Sequence, residues 1–263
     1  MSNYNSVVLN IISEADVLLE VLDPRLVELS RNKYLENKVL EKGKTLIFVI
    51  NKADISKRNQ IKNQVKDLNP VFIVSAKTGE NMTPLKKFII SKAKEIIEKE
   101  NRAVLVGVFG YPNTGKSSLL NSLSKGGKVL TSPSSGFTKG KQLLKMRKNI
   151  YLIDSPGVIK FNEKDEVRLA LLGSKDVNKL KDIEGVALTL IELIKDAIKE
   201  HYELKSDDSL DILEEIGQKF NYKVKGNEID VMRAAKKVIS DWQKGLIQPD
   251  SNALSTIKHK LSA

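Results

Sequence analysis

The stretch "GYPNTGKSS", residues 110–118, has the spacing G-x-x-x-x-G-K-[ST]. It follows the apolar run "AVLVGVFG" (103–110) and precedes the helical pattern "SSLLNSLS" (117–124). Glycines in such a strand–loop–helix turn let backbone N–H groups surround phosphates at the start of a helix. The stretch therefore predicts a nucleoside triphosphate site, in which Lys116 reaches the β- and γ-phosphates and the Ser117 hydroxyl ligates Mg²⁺. The other predicted phosphate-loop residues are Asn113, Thr114, Gly115 and Ser118.

A second motif, "NKAD" (51–54), ends the apolar run "TLIFVIN" (45–51), where ligands bind in open α/β sheets. The Asp54 carboxylate can accept two N–H bonds from the N1 and N2 edge of guanine, which adenine does not present. We expect Asn51 to brace the loop and the stem of Lys52 to pack along the base. Alone, "NKAD" is equally consistent with a turn after a strand.

A third motif, "SAK" (75–77), follows the next apolar run, "VFIVSA" (71–76), and supports the guanine interpretation. Its backbone N–H groups are expected to face the O6 atom of guanine. The residues concerned are Ser75, Ala76 and Lys77. Because "NKAD" and "SAK" occur together, chance is a poor explanation for the pair, and the sequence predicts a GTP or GDP site.

The run "DSPG" (154–157) ends a further strand-like stretch, "IYLID" (150–154). Asp154 is expected to hold Mg²⁺ through water, and the Gly157 N–H to respond to the γ-phosphate. The segment "SPSSGFTKGK" (132–141) contains Thr138, the best candidate to complete the Mg²⁺ shell, although an ordinary loop threonine would look the same. Lys116, Thr138 and Gly157 are thus the residues expected to act on the γ-phosphate.

The order of these motifs is the reverse of the usual one, since "NKAD" begins 59 residues before the phosphate loop. Termini that lie close together can be joined, and the chain opened elsewhere, without loss of the fold. The join here is "ENRAV" (100–104), and the new exit follows "DSPG". We hypothesise that GTP draws Gly157 inward and thereby reorients residues 165–247.

Hydrophobic patterning predicts the fold class. Six continuous apolar runs indicate strands covered on both faces, with amphipathic helical patterns between them. The runs are 17–23, 45–51, 71–76, 103–110, 141–147 and 150–154. We therefore predict an α/β fold: a circularly permuted P-loop GTPase domain with a mostly parallel six-stranded sheet over residues 1–160, followed by a small all-helical domain over residues 161–263.

Charge distribution indicates a polyanionic partner. The net charge is +11; residues 161–263 contain 17 Lys/Arg and 19 Asp/Glu, which leaves 27 and 14 in residues 1–160. One lysine suffices for a nucleotide, so the surplus favours RNA, although a lysine-rich solvated surface is the alternative. The chain has no cysteine and no apolar run of membrane-spanning length, so we expect a cytoplasmic protein without a membrane partner.

The last strong helical pattern, "EIDVMRAAKKVISDWQKGLI" (228–247), is a candidate for RNA contact. It has an apolar stripe and, on another face, a cluster of basic side chains. The stripe contains Ile229, Met232, Ala235, Ile239, Trp242 and Leu246, and the cluster contains Arg233, Lys236, Lys237 and Lys244. A charged face is often simply solvated, so both interpretations stay open, and Trp242 is expected in the core.

These motifs resemble the circularly permuted GTPases, in particular the YlqF/RbgA family of ribosome-assembly GTPases. "DPRLVELSRN" (23–32), "VRLALLG" (167–173) and residues 214–242 are similar to further segments of that family, so the resemblance spans roughly residues 16–247. It implies a GTP-driven factor that acts on the large ribosomal subunit or its precursor, with the helical domain on ribosomal RNA. It also implies an activating K⁺ near Asn113, although a turn residue after Pro112 is an equal explanation.

Two positions bear on catalysis. Val158 follows "DSPG" and cannot orient water, as in the family, where this residue is hydrophobic. The histidine-containing start of bacterial members has no counterpart here; the chain has only His201 and His259, both expected in surface or helix-packing positions. The group that orients the attacking water therefore stays open, and hydrolysis by the isolated protein, expected as a monomer, is predicted to be slow.

The leading prediction is a GTP-hydrolysing assembly factor for the large ribosomal subunit, switched by nucleotide through its helical domain. The alternative is a GTP-gated RNA- or protein-binding module whose hydrolysis is incidental, or another regulatory GTPase not tied to the ribosome. Kinetics of a single turnover with release from ribosomal particles would separate them.

Overall fold

The structure is a computed structural model that describes residues 3–124, 129–131, 142–155 and 165–262. The chain divides into two compact units, residues 1–162 and 163–263. This division lies two residues from the change in sequence character after residue 160. The two units are described separately.

The described part of the first unit contains six α-helices and seven β-strands. The helices are α1 (Asn3–Glu14), α2 (Val27–Ser30), α3 (Lys33–Glu41), α4 (Arg58–Gln64), α5 (Met82–Glu100) and α6 (Lys116–Ser124). The strands are β1 (Val17–Leu22), β2 (Thr45–Ile50), β3 (Val71–Ile73), β4 (Val104–Phe109), β5 (Val129–Thr131), β6 (Gln142–Arg147) and β7 (Ile150–Asp154). A 3₁₀ turn, Ala53–Ile55, follows β2.

The strands form one sheet in the order β3-β2-β1-β4-β7-β6-β5. Strands β3, β2, β1, β4 and β7 are parallel, whereas β5–β6 and β6–β7 pair antiparallel. All six predicted strands are present, and the predicted P-loop α/β class with a mostly parallel sheet is confirmed. The sheet has a seventh strand, β5, which the hydrophobic pattern did not predict. It spans only three residues and is too short to form an apolar run of its own.

Both faces of the sheet are covered by helices. Alternate residues of β1 belong to two different buried clusters: Leu18 and Leu22 pack with α1, α3 and α4, while Leu19 and Val21 pack with α5 and α6. This two-sided burial explains why the strands have continuous rather than alternating hydrophobicity. It leaves the ends of the sheet as the places where loops carry polar side chains.

A carboxyl side chain lies within this core. Glu20, in the middle of β1, is fully buried, and its carboxyl accepts a hydrogen bond of 2.7 Å from the Asn32 backbone N–H. Burial and the neighbouring Glu36 carboxylate raise its pKa well above the usual value. The contact fixes the segment 23–32, which follows β1, against the sheet.

The described part of the second unit is helical apart from one isolated bridge between Lys223 and Ile229. Its α-helices are α7 (Glu166–Leu171), α8 (Ile183–Tyr202), α9 (Ser209–Lys219), α10 (Val231–Gln243) and α11 (Ser251–Ser262), with a 3₁₀ turn at Val177–Lys179. Helix α10 is shorter than the predicted 228–247, because the Asp230 side chain caps it by accepting from the Arg233 N–H.

The core of the second unit forms around α10. Trp242 is fully buried and its indole N–H donates to the Leu171 carbonyl over 2.9 Å, so it is a core residue as expected. Met232 and Leu246, which belong to the same apolar stripe, are exposed. Among the described residues, no helix is long and apolar enough to cross a membrane.

Candidate nucleotide-binding site

The sequence motifs meet at the carboxyl ends of adjacent parallel strands. "NKAD" follows β2, "SAK" follows β3, the phosphate loop follows β4, and Asp154 is the last residue of β7. Strand β1 lies between β2 and β4, so the segment that begins at Asp23 lies between the base-reading and phosphate-binding loops. Ligands of open α/β sheets bind at this edge.

The phosphate loop has a backbone that needs glycine at two positions. Gly110 and Gly115 have φ values of +146° and +89°. A Cβ atom would lie 2.4 Å from the Val21 carbonyl oxygen at Gly110, and 2.3 Å from the Asn51 side-chain nitrogen at Gly115. Both glycines therefore allow a close approach to neighbouring loops as well as the conformation itself.

Lys116, at the start of α6, is 7% exposed and folds back over this loop. Its ammonium donates to the carbonyls of Gly110 at 3.1 Å and Tyr111 at 2.7 Å. Burial lowers its pKa to about 8, the Asp154 carboxylate opposes this shift, and Lys52 adds to it. Thr114 closes the loop through a bond of 2.9 Å from its hydroxyl to the Tyr111 carbonyl.

Asn51 connects three loops that are far apart in the chain. Its side-chain N–H₂ donates to the Thr114 carbonyl at 3.1 Å and the Gly115 carbonyl at 3.3 Å, and its side-chain oxygen accepts from the Ala76 N–H at 3.0 Å. The residue is 1% exposed. One buried amide thus fixes the phosphate loop relative to the guanine-reading loops.

The Asp54 carboxylate is oriented by Ser75. The Ser75 hydroxyl donates to Asp54 Oδ1 over 2.7 Å and accepts from the Thr78 N–H at 3.2 Å. Asp54 itself is exposed, so its carboxylate is accessible to a ligand while the Ser75 hydrogen bond holds it in place. This arrangement suits an acceptor for the N–H groups of a base.

The "SAK" backbone differs from the expectation. The Ser75 N–H donates to the Glu80 carbonyl and the Ala76 N–H to Asn51, so two of the three expected guanine-facing donors have partners within the protein. Lys77 is exposed. The turn after β3 satisfies its own backbone groups, which pattern reading of a tripeptide does not reveal.

Two further residues reach this edge that motif reading did not select as site residues. Asp23 and Arg25, 1% and 3% exposed, form a buried ion pair with bonds of 2.9 Å and 3.0 Å. Burial alone would raise the pKa of Asp23, but the charge and hydrogen bonds of Arg25 together with the Lys52 ammonium outweigh that effect and lower it. The signal was present, because an Asp and an Arg directly after a buried parallel strand lie at the ligand edge.

Lys52 lies between this ion pair and the phosphate loop. It has a left-handed backbone, with φ +58°, and its Cε lies 3.8 Å from the point where a Gly115 Cβ would be. Desolvation lowers its pKa, and Asp23 partly compensates. Its stem is therefore packed beside the loop where the motif predicts a nucleotide.

Ser117 and Asp154 fit a Mg²⁺ ion. The Ser117 hydroxyl donates to Asp154 Oδ2 over 3.3 Å. Burial raises the pKa of Asp154, opposed by Lys116 and by the Ser117 hydrogen bond. A hydroxyl and a carboxylate beside a phosphate loop are the oxygen donors that Mg²⁺ takes alongside nucleotide phosphates.

The remaining predicted residues divide into two groups. Asn113 and Ser118 are exposed on the phosphate loop and on α6, and Asn113 has a left-handed backbone, with φ +60°. Thr138 and Gly157, like Val158, lie outside the described residues, so their predicted roles at the γ-phosphate stay predictions.

Family models match the same regions of the chain. The RsgA GTPase model matches residues 3–164, well over half of the chain. A model described as 50S ribosome-binding GTPase matches residues 105–224. The first spans the guanine motifs and the phosphate loop in their permuted order.

Individual proteins similar to this chain are also named as GTP-binding proteins or GTPases. An uncharacterised GTP-binding protein of Methanocaldococcus jannaschii is 38% identical over 91% of this chain and 64% of its own length. Nuclear/nucleolar GTPase 2 of Arabidopsis thaliana is 30% identical over 90% of this chain. The chain spans 42% of the plant relative, so it corresponds to a part of that protein.

A solved structure shares the fold. GNP-bound YlqF from T. maritima is 21% identical and superposes with a TM-score of 0.66, covering 92% of this chain and 94% of that one. The solved structure confirms the predicted YlqF fold, and the family model and the relatives confirm the predicted circularly permuted GTPase. The chain belongs to the RsgA GTPase family, with its guanine-reading loops placed ahead of the phosphate loop.

Proposed function

We propose that the chain binds GTP with Mg²⁺ and hydrolyses it to GDP and phosphate during assembly of the large ribosomal subunit. The observation that carries the nucleotide part is the Asn51 amide, which lies in the loop of Asp54 and joins it to the phosphate loop and to the loop of Ala76. A link of this kind fixes the relative position of the Asp54 loop and the phosphate loop, as a ligand that contacts both of them requires. Guanine then lies at Asp54 and the phosphates lie at Lys116.

The chemistry follows from the placement of charge. Phosphoryl transfer needs positioning and charge stabilisation more than covalent help from the protein. Lys116 reaches the β- and γ-oxygens once its ammonium exchanges the Gly110 and Tyr111 carbonyls for phosphate. Ser117 and Asp154 would hold Mg²⁺, with Thr138 proposed to complete its shell, and the ion would supply further charge neutralisation.

The ribosomal part rests on relatives and charge. The names of the matched plant relative and of the 50S ribosome-binding GTPase model point to nucleolar and ribosomal settings. The excess of 27 Lys/Arg over 14 Asp/Glu in residues 1–160 suits contact with RNA. We propose large ribosomal subunits or their precursors, and their RNA, as partners.

Nucleotide control of binding is part of the proposal. The segment after Asp154 leads directly into the second unit, so a γ-phosphate contact at Gly157 would act on the helices that follow. Limited proteolysis of the full chain with GDP and with a non-hydrolysable GTP analogue tests this. Identical cleavage patterns would contradict the switch without affecting GTP binding.

Phosphate release from GTP tests the activity. We expect slow release by the protein alone and faster release with purified large ribosomal subunits, and none above background from a Lys116→Ala variant. Salt, small subunits and ATP serve as controls. A fast rate that ribosomal particles do not change would contradict the assembly role, and favour the alternative of a GTPase not tied to the ribosome.

A further inference from the structure

The second unit contains a cleft that the nucleotide site does not use. It has a volume of about 370 Å³ and lies between the 3₁₀ turn at Val177–Lys179 and one face of α10. Its lining includes Arg233, Lys236, Lys237, Ser240 and Tyr222. Pockets of a few hundred cubic ångströms hold ligands of nucleotide size.

Two cations of the cleft are held against aromatic rings. The Arg233 guanidinium lies 4.2 Å from the centre of the Tyr222 ring, and the Lys237 ammonium lies 4.4 Å from that of Phe220. The two rings stack on each other, with centroids 5.8 Å apart and planes inclined by 26°. Stacking of this kind restricts long side chains, so their charges are pre-positioned.

The charges in the cleft are not all compensated. Lys237 pairs with Asp241 at 2.9 Å, and that carboxylate also accepts from the Tyr202 hydroxyl. Within the described part of the chain, by contrast, the side chains of Arg233 and Lys236 form no ion pair. Asp176, on the opposite wall, caps the 3₁₀ turn by accepting from the Asn178 N–H.

The excess of basic over acidic residues is local to the cleft. Residues 161–263 have 17 Lys/Arg against 19 Asp/Glu, yet residues 231–240 contain three basic residues and no acidic one. Lys244, grouped with these cations by sequence pattern, is exposed and does not line the cleft. The cleft is therefore a basic site on an otherwise balanced unit.

We infer that this cleft binds the phosphodiester backbone of single-stranded RNA, with Arg233 and Lys236 as phosphate ligands and Tyr222 as a positioning residue for Arg233. A positively charged groove that follows the phosphate backbone, with arginine in cation–π contact, is a feature of proteins that bind single-stranded nucleic acids. An acidic protein segment would leave the polar wall of Asn178, Ser240 and Gln243 without a specific role. The inference rests on the proposed RNA contact and assigns it a place.

A matched pair of variants on α10 tests the phosphate ligands. Lys236→Gln and Lys244→Gln remove the same charge from one helix, the first inside the cleft and the second outside it. With a fluorescein-labelled single-stranded RNA of mixed sequence and the full chain, we expect Lys236→Gln to weaken binding about fivefold at ~0.1 M salt. Its slope of log affinity against log salt should fall by ~0.7, and Lys244→Gln should match the wild type.

Adding Arg233→Gln to Lys236→Gln removes the second proposed phosphate contact. The double variant should lose affinity about 25-fold under the same conditions. Equal binding by Lys236→Gln and Lys244→Gln would overturn the cleft while RNA binding itself stands. Failure of the wild type to bind RNA would overturn both the cleft and the proposed RNA partner, with GTP binding unaffected.

Two substitutions test Tyr222. Tyr222→Phe keeps the ring and should bind RNA like the wild type, whereas Tyr222→Leu should approach the affinity of Arg233→Gln. Equal affinity of the Leu and Phe variants would remove the positioning role. A poly-glutamate peptide that competes with RNA better than unlabelled RNA of the same length would identify an acidic protein as the ligand instead.

Discussion

In the first unit, the polar side chains at the nucleotide edge are fixed by hydrogen bonds to backbone groups of distant loops, as Asn51 shows. In the second unit, the cations of the cleft lie against aromatic rings and are partly open to solvent. Buried amides and ion pairs tolerate little change, because loss of one partner leaves another unsatisfied. Stacked cations can be lost one at a time, which suits a surface that adds binding energy in small steps.

The largest expected effect concerns the buried ion pair at the nucleotide edge. Arg25→Met would leave the Asp23 carboxylate buried without its partner, and we expect a loss of about 3–5 kcal/mol in the free energy of unfolding. Urea unfolding followed by circular dichroism measures it. The matched control is Lys92→Met, which breaks the exposed pair with Glu95 and should leave the midpoint nearly unchanged.

A small effect of Arg25→Met would show that the pair is replaceable. In that event, the distinction between the tightly fixed nucleotide edge and the separately replaceable cations of the cleft would fail at the strand end between the two nucleotide loops.

The next effect concerns the bridge between loops. Asn51→Ala would leave the Thr114 and Gly115 carbonyls and the Ala76 N–H without their present partner, so GDP should bind about 10–100-fold more weakly. Isothermal titration calorimetry measures this. Asn63→Ala, on an exposed position of α4, is the matched control.

RNA binding by the Asn51→Ala variant in the absence of nucleotide sharpens the comparison. We expect it to equal the wild type, because the cleft lies in the other unit. A parallel loss of RNA affinity would show that the two units depend on the same contacts.

A smaller effect is a pH dependence of nucleotide binding. With a pKa of about 8 in the empty loop, Lys116 is charged below pH 8 and increasingly neutral above it. Phosphates need the ammonium, so affinity for GDP should be nearly complete at about pH 7, fall through pH 8 and be about tenfold weaker near pH 9 than near pH 7. Lys116→Arg stays charged, and its affinity, whatever its value, should not follow this profile.

Guanine itself loses a proton at high pH, and the arginine variant shares that change. The difference between the two pH profiles therefore belongs to Lys116. Identical profiles would mean that the lysine stays protonated in the empty loop.

Much of the first unit was predictable from its sequence. The strands are buried on both faces, which makes their apolar runs continuous, and each nucleotide motif follows one of them. The sequence did not reveal β5, whose three residues form no pattern, or the pairing of Asp23 with Arg25 beside Lys52. Asp23 and Arg25 are two residues apart, so their ion pair is a local contact, but its place beside Lys52 depends on the strand order, which puts β1 between β2 and β4.

The second unit was less predictable because its site has no motif. Phe220 and Tyr222 lie on a turn that contains left-handed residues at Asn221 and Asn227, and they meet α10 only through the packing of the folded helices. The basic pattern of α10 also included Lys244, which lies off the cleft. Helical periodicity separates faces, but it does not indicate which neighbouring element covers them.

Exchange of Asp54 for asparagine tests most directly whether the two distant motifs hold one guanine nucleotide. Xanthine has a carbonyl where guanine has its amino group, so the NH₂ of Asp54→Asn can donate where a carboxylate oxygen accepted. The amide oxygen of the variant can still accept the hydrogen bond from the Ser75 hydroxyl. Competition against labelled GDP should show that the wild type prefers GTP to XTP and ATP, and that Asp54→Asn prefers XTP. An unchanged preference in the variant, or equal binding of ATP and GTP by the wild type, would contradict the assignment.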